Sequence, residues 1–97
     1  MSFSEIISPD RLTLVDFYAT WCEPCKWVEP VLEDVSKKFL EKIHIHKIDI
    51  DAQPGIAKAH HVMSVPTLVL FKKGKELWRM RGFDTAPALI RILQGFL

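Results

Sequence analysis

The chain has 97 residues, of which 48% are hydrophobic, 10% aromatic and 26% charged. That balance predicts one folded domain over residues 1–97 with a core that needs no metal or structural crosslink, and it excludes disorder. The net charge is +1 with no basic stripe, so neither nucleic acid nor an anionic membrane is an expected partner.

Phe3–Ile7 is predicted as a short helix closed by Ser8-Pro9-Asp10. Met1-Ser2-Phe3-Ser4-Glu5 lacks the basic and apolar regions of a secretory signal, so the expected location is cytoplasmic. The apolar runs are strand-sized, and none is long enough to span a membrane. Leu12–Ala19 (LTLVDFYA) is apolar, β-branched and aromatic, the pattern of a buried strand. Cys22 to about Lys42 reads as a long helix, with Val28, Val31, Leu32, Val35 and Phe39 on its inner face. Pairs Glu33–Lys37 and Asp34–Lys38 are expected on an exposed face, and Pro30 is expected to kink the helix.

Ile43–Ile50 is a second strand and Gln53 to about His60 a short helix. Thr67–Phe71 and Lys75–Arg81 are two further strands joined by a turn in which Gly74 is free to take positive φ. Thr85 is the expected N-cap of a last helix, with Leu89, Ile90, Leu93 and Phe96 facing inward. Two strands joined through a long helix imply a parallel, right-handed crossover, and the last two an antiparallel hairpin. The expected fold is α/β, a mixed sheet sandwiched by helices.

The two cysteines, Cys22 and Cys25, are the only ones in the chain. A C-x-x-C turn closes as a disulfide or opens to give one reactive thiolate and one backup thiol. Here it follows a strand and opens a helix. Unpaired N–H groups and the helix dipole favour the thiolate of the first cysteine, and thiolate is the species that attacks a disulfide. Cys22 is therefore the expected nucleophile. Cys25, one turn deeper and expected to be shielded, resolves the mixed disulfide. Pro24 restricts the backbone between them. A purely structural disulfide across so short a loop adds little stability. A structural zinc site asks for four ligands, and His44, His46, His60 and His61 lack finger-like spacing. Surface or strand-pairing roles suit those histidines better.

Asp16 interrupts the apolar strand that feeds the cysteines. A carboxyl buried there has a raised pKa and becomes a proton acceptor for Cys25, although a buried aspartate without a catalytic role is also common. Lys47 on the neighbouring strand is a candidate modulator of that carboxyl, or simply a solvated lysine. Val65-Pro66-Thr67 opens a strand with a proline whose isomer the residues alone leave open.

These segments together resemble the thioredoxin family over nearly the whole chain. Val15-Asp16-Phe17-Tyr18-Ala19-Thr20-Trp21-Cys22-Glu23-Pro24-Cys25-Lys26 is similar to its active-site segment. Pro30 matches its helix proline, Met63-Ser64-Val65-Pro66-Thr67 its cis-proline loop, Phe71-Lys72-Lys73-Gly74 its hairpin, and Gly82 its groove glycine. The resemblance implies a three-layer α/β/α sandwich and a cis Val65–Pro66 bond beside Cys22. It also implies a shallow groove of Trp21, Pro24, Val65, Pro66, Gly82 and Phe83, in which the backbone at Val65 pairs with an extended substrate. No bound cofactor or metal is implied, and a separate thioredoxin reductase or equivalent supplies electrons.

Two departures stand out. Glu23 replaces the family's usual glycine after the first cysteine; its carboxylate slightly disfavours the thiolate and repels acidic partners. The family's first strand is absent, which leaves a four-stranded sheet with about four helices and Ile43–Ile50 at an edge guarded by His44, His46 and Lys47. The expected function is protein-disulfide reduction by dithiol–disulfide exchange, serving electron transport and cell redox homeostasis. The alternative is a binding module or redox sensor that docks partners. The expected state is a monomer, with pairing through the edge strand as the alternative.

Overall fold

Ser2 begins the first element. Its hydroxyl accepts from the Glu5 N–H, and the Glu5 carboxylate accepts from the Ser2 N–H, a capping box that starts helix α1, Phe3–Ile7. The computed structural model describes residues 1–97. The chain continues through strand β1 (Leu12–Tyr18), helix α2 (Glu23–Phe39), a 3-10 turn (Leu40–Lys42), β2 (Ile43–Asp49), α3 (Pro54–Ala59), β3 (Thr67–Lys72), β4 (Lys75–Arg81) and α4 (Ala86–Gln94). The four strands lie in the order β2-β1-β3-β4, with β1 parallel to β2 and the other pairs antiparallel. The α/β sandwich, the four-stranded mixed sheet and the edge position of β2 are as expected from the sequence.

Period-two alternation sends the residues of β1 into two cores. Leu12 and Leu14 join Val28, Leu32, Val35 and Phe39 of α2 and Leu89 and Leu93 of α4 on one face. Val15 and Phe17 join Ile7 and Ile48 on the other, where Ile56 of α3 packs against them. By the same alternation Asp16 falls on the α2 side. Its position, two residues beyond Leu14, places a carboxyl under the helix that carries the cysteines.

Two local expectations need correction. Helix α2 ends at Phe39 rather than near Lys42, because Leu40 takes φ 52° and the chain turns into 3-10 geometry. The Glu33–Lys37 pair forms at 3.7 Å, but Asp34 and Lys38 make no ion pair. The β3–β4 turn is as expected: Gly74 takes positive φ (81°), and Lys73 (φ 53°) joins it, as a two-residue turn matched to strand twist requires. Val31, Ile90 and Phe96 are only partly buried against the α2/α4 core. Thr85 caps α4, accepting from the Ala88 N–H.

Candidate active site

Strand β1 ends at Tyr18, and Ala19-Thr20-Trp21 carries the chain over the end of the sheet. Cys22 is the N-cap of the 17-residue α2, with extended backbone (φ −88°, ψ 110°). Its own N–H donates to the Ala19 carbonyl at 3.2 Å, and its Sγ accepts from the Cys25 N–H at 3.2 Å. The Cys25 N–H of the first helical turn thus points at this sulfur, where it and the helix N-terminus stabilise negative charge. Pro24 sits in the first turn, where a missing N–H costs nothing. Cys22 and Cys25 are joined as a disulfide, with their Cα atoms 5.3 Å apart.

The expected shielding of Cys25 relative to Cys22 is not a difference in exposure in this closed state, since the two are 4% and 5% exposed. The bond ties both sulfurs into one small cluster with Ala19, against which Tyr18, Ile50 and Val65 pack. Val65 is therefore beside the cysteines, and its peptide bond to Pro66 is cis. The Gly82 N–H donates to the Pro66 carbonyl at 2.7 Å, which brings the end of β4 to the same rim. Phe83 is partly buried, packing one part of its ring against the α2/α4 core and leaving the rest exposed.

Trp21 is 68% exposed, yet its indole Nε1–H donates to Asp51 Oδ2 at 2.7 Å. Asp51 lies in the turn after β2, next to Ile50, whose N–H donates to the Tyr18 carbonyl. Glu23 is exposed and paired with Lys26 at 3.6 Å.

Asp16 is wholly buried and neither carboxylate oxygen has a hydrogen-bond partner. Burial raises its pKa from 3.8 to about 6; the nearby Lys47 opposes the rise and Glu29 adds to it. Asp16 and Lys47 are register partners on β1 and β2. The Lys47 ammonium nevertheless pairs with the Glu29 carboxylate and lies 4.5 Å from the centroid of the Tyr18 ring. Asp16, Glu29 and Lys47 line a cavity of about 380 Å³ between α2 and the β2 edge. A second cavity of about 240 Å³ is lined by Cys25, Lys26 and Glu29. Glu29 and Asp51 have no role assigned in the sequence reading. The signal for Glu29 was its place four residues beyond Cys25 on α2. For Asp51 it was the shared end of the parallel strands β1 and β2. No three or more His, Cys, Asp or Glu side chains are grouped to hold a metal ion, and no helix is long and apolar enough to cross a membrane.

Residues 1–95 match the family model described as Thioredoxin. The chain belongs to the thioredoxin family. It is 44% identical over 97 residues to a thioredoxin-like protein of Synechocystis sp., covering 99% of this chain and 92% of that one. It is 40% identical over 91 residues to the bifunctional thioredoxin reductase/thioredoxin of Mycobacterium leprae, covering 94% of this chain and 20% of that protein. The structure of thioredoxin from Trypanosoma brucei brucei superposes with a TM-score of 0.88 at 31% identity, over 97% of this chain and 81% of that one. This thioredoxin-family chain, with its C-x-x-C pair at the start of α2, is a thiol–disulfide oxidoreductase that acts on proteins.

Proposed function

We propose that the chain works as a single domain that reduces protein disulfides, with Cys22 as nucleophile, Cys25 as resolving thiol and Asp16 as proton acceptor. The reduced Cys22 thiolate attacks one sulfur of the substrate disulfide. A Cys22–substrate S–S bond forms, and the other substrate sulfur leaves as a thiolate that takes a proton from solvent. Cys25 gives its proton to the Asp16 carboxylate and attacks Cys22 Sγ. The Cys22–Cys25 bond forms, and the second substrate sulfur leaves with its electron pair. Two electrons pass from the cysteine pair to the substrate, so the closed disulfide is the spent state.

The observation that carries this reading is the seating of Cys22 at the N-cap of α2 with its sulfur accepting the Cys25 N–H. Trp21, Pro24, Val65, Pro66, Gly82 and Phe83 form the substrate groove in this reading, and Glu23 at its rim selects against acidic partners. Lys47 modulates Asp16. Electrons return from a thioredoxin reductase or its equivalent, without a bound cofactor on this chain; the Mycobacterium leprae relative, named for both activities, supports such a pairing. The working location is the cytoplasm, and the working state is a monomer.

The unpaired β2 edge supports a second reading, a docking module in which turnover is incidental. Partner trapping separates the two. The Cys25→Ser variant is expected to accumulate mixed disulfides through Cys22 that are released by dithiothreitol, whereas Cys22→Ser traps nothing. Partners held equally by both variants and resistant to reductant favour the docking module.

A further inference from the structure

The cluster around Asp16 contains an arrangement that the exchange mechanism above does not use. Lys47 stands opposite Asp16 in the parallel register of β1 and β2, the place from which an ammonium would neutralise a buried carboxylate. Nevertheless, neither Asp16 oxygen accepts a hydrogen bond from any group of the protein. The Lys47 ammonium is engaged by the Glu29 carboxylate, which reaches it from α2. Glu29 also lines both cavities, the one containing Asp16 and the one containing Cys25. It is the shared wall between proton donor and proton acceptor.

We propose that Glu29 is a positioning residue: by holding the Lys47 ammonium away from the Asp16 carboxyl, it leaves that carboxyl without a partner from the protein and free to take the Cys25 proton. The proposal rests on the reading of Asp16 as proton acceptor. In the step concerned, the Cys25 S–H bond breaks, an Asp16 O–H bond forms, and the freed thiolate displaces the substrate sulfur from Cys22.

The other groups near Asp16 leave this task to Glu29. Glu33 of α2 lines the same cavity but is paired with Lys37. On the other side of β1, the register partner of Asp16 in β3 is Leu68, and α4 contributes Leu89 and Leu93 to this face of the sheet. Lys26 belongs to the Cys25 cavity and pairs with Glu23. Tyr18 lies under the Lys47 ammonium. The hydrogen bond from Lys47 holds the Glu29 carboxyl below its usual range. Desolvation lowers Lys47, but Glu29, with Asp16 and Tyr18, carries it above its usual range. Each member of the pair thus favours the charged form of the other.

The test is a carbon NMR titration of the Asp16 carboxyl in the oxidised protein, with the pH profile of single-turnover reduction of a protein disulfide measured alongside. Wild type, Glu29→Gln, Lys47→Met and the double variant are compared, with Asp16→Asn as control. Glu29 and Lys47 side chains are 60% and 42% exposed, so neither change opens a core. Glu29→Gln is expected to move the Asp16 midpoint, near pH 6 in wild type, and the rate profile with it, downward by about 0.5–1 pH unit, since a freed ammonium favours the carboxylate. In the Lys47→Met background the same change is expected to move the midpoint by less than half as much. An unmoved midpoint, or an equal movement with and without Lys47, overturns the proposal. A rate profile that Asp16→Asn leaves intact overturns the assignment of Asp16 instead. A profile that Asp16→Asn abolishes but Glu29→Gln leaves in place overturns the role of Glu29 alone.

Discussion

Cys22→Ser is expected to bring the rate of insulin reduction by dithiothreitol down to that of dithiothreitol alone. A serine hydroxyl is not ionised near neutral pH and forms no mixed disulfide, and the chain's one other sulfur nucleophile, Cys25, lies one turn into α2. The loss is chemical rather than structural. Serine is among the best N-cap residues, so α2 keeps its start, and opening a disulfide over so short a loop returns little chain entropy. Cys25→Ser also fails to turn over, but for a different reason: the mixed disulfide forms and then persists, visible as a mass increase on Cys22. Full activity in Cys22→Ser would contradict the assignment of the nucleophile.

The second large effect concerns Asp16. Its folded pKa of about 6 lies above the ordinary 3.8, so between those values the folded protein binds the proton more tightly than the unfolded chain. Stability must therefore fall as pH rises through this window, and the deficit is fully present above about pH 6. At about 1.4 kcal/mol per pKa unit, the deficit amounts to about 3 kcal/mol, as an order of magnitude. Asn is nearly isosteric with the protonated acid and carries no charge, so Asp16→Asn removes that cost. In urea unfolding of the oxidised protein, the variant is expected to match wild type near pH 3.5 and to exceed it by about 3 kcal/mol at pH 8. The same change is expected to slow resolution by Cys25 about tenfold to a hundredfold, at or below the low end of general-base effects. The effect is modest because the Cys25 cavity is shared with exposed Lys26 and Glu29, leaving solvent as a substitute acceptor. Equal stability of the two proteins at pH 8 would show that the carboxyl is not held in a desolvated site.

These two effects were legible in the sequence for the same reason. Cysteine and aspartate are chemically conspicuous against an apolar strand and a helix start, and the local pattern places them without knowledge of the rest of the chain. Element types followed from periodicity, and both ends of α1 and β4 were placed correctly. The end of α2 was not, because a leucine in positive φ at position 40 carries no residue-type signal of the kind Gly74 provides. The isomer of Pro66 was available only through family resemblance. Glu29 and Asp51 stayed hidden because each acts on a partner distant in the chain, Lys47 18 residues and Trp21 30 residues away. A charge on a helix surface or after a strand is unremarkable until the parallel pairing of β1 with β2 brings its partner alongside. The edge position of β2 followed from counting strands against the family pattern, but the cavity at that edge needed side chains in place.

The seating of Cys22 at the start of α2 is tested most directly by alkylating the reduced protein with iodoacetamide across a pH series and reading each cysteine by mass spectrometry. The helix N-terminus and the Cys25 N–H are expected to lower the Cys22 thiol below the free-cysteine value near 8.5, with Cys25 modified more slowly. A Cys22 thiol that titrates like free cysteine and reacts no faster than Cys25 would contradict the mechanism at its first step.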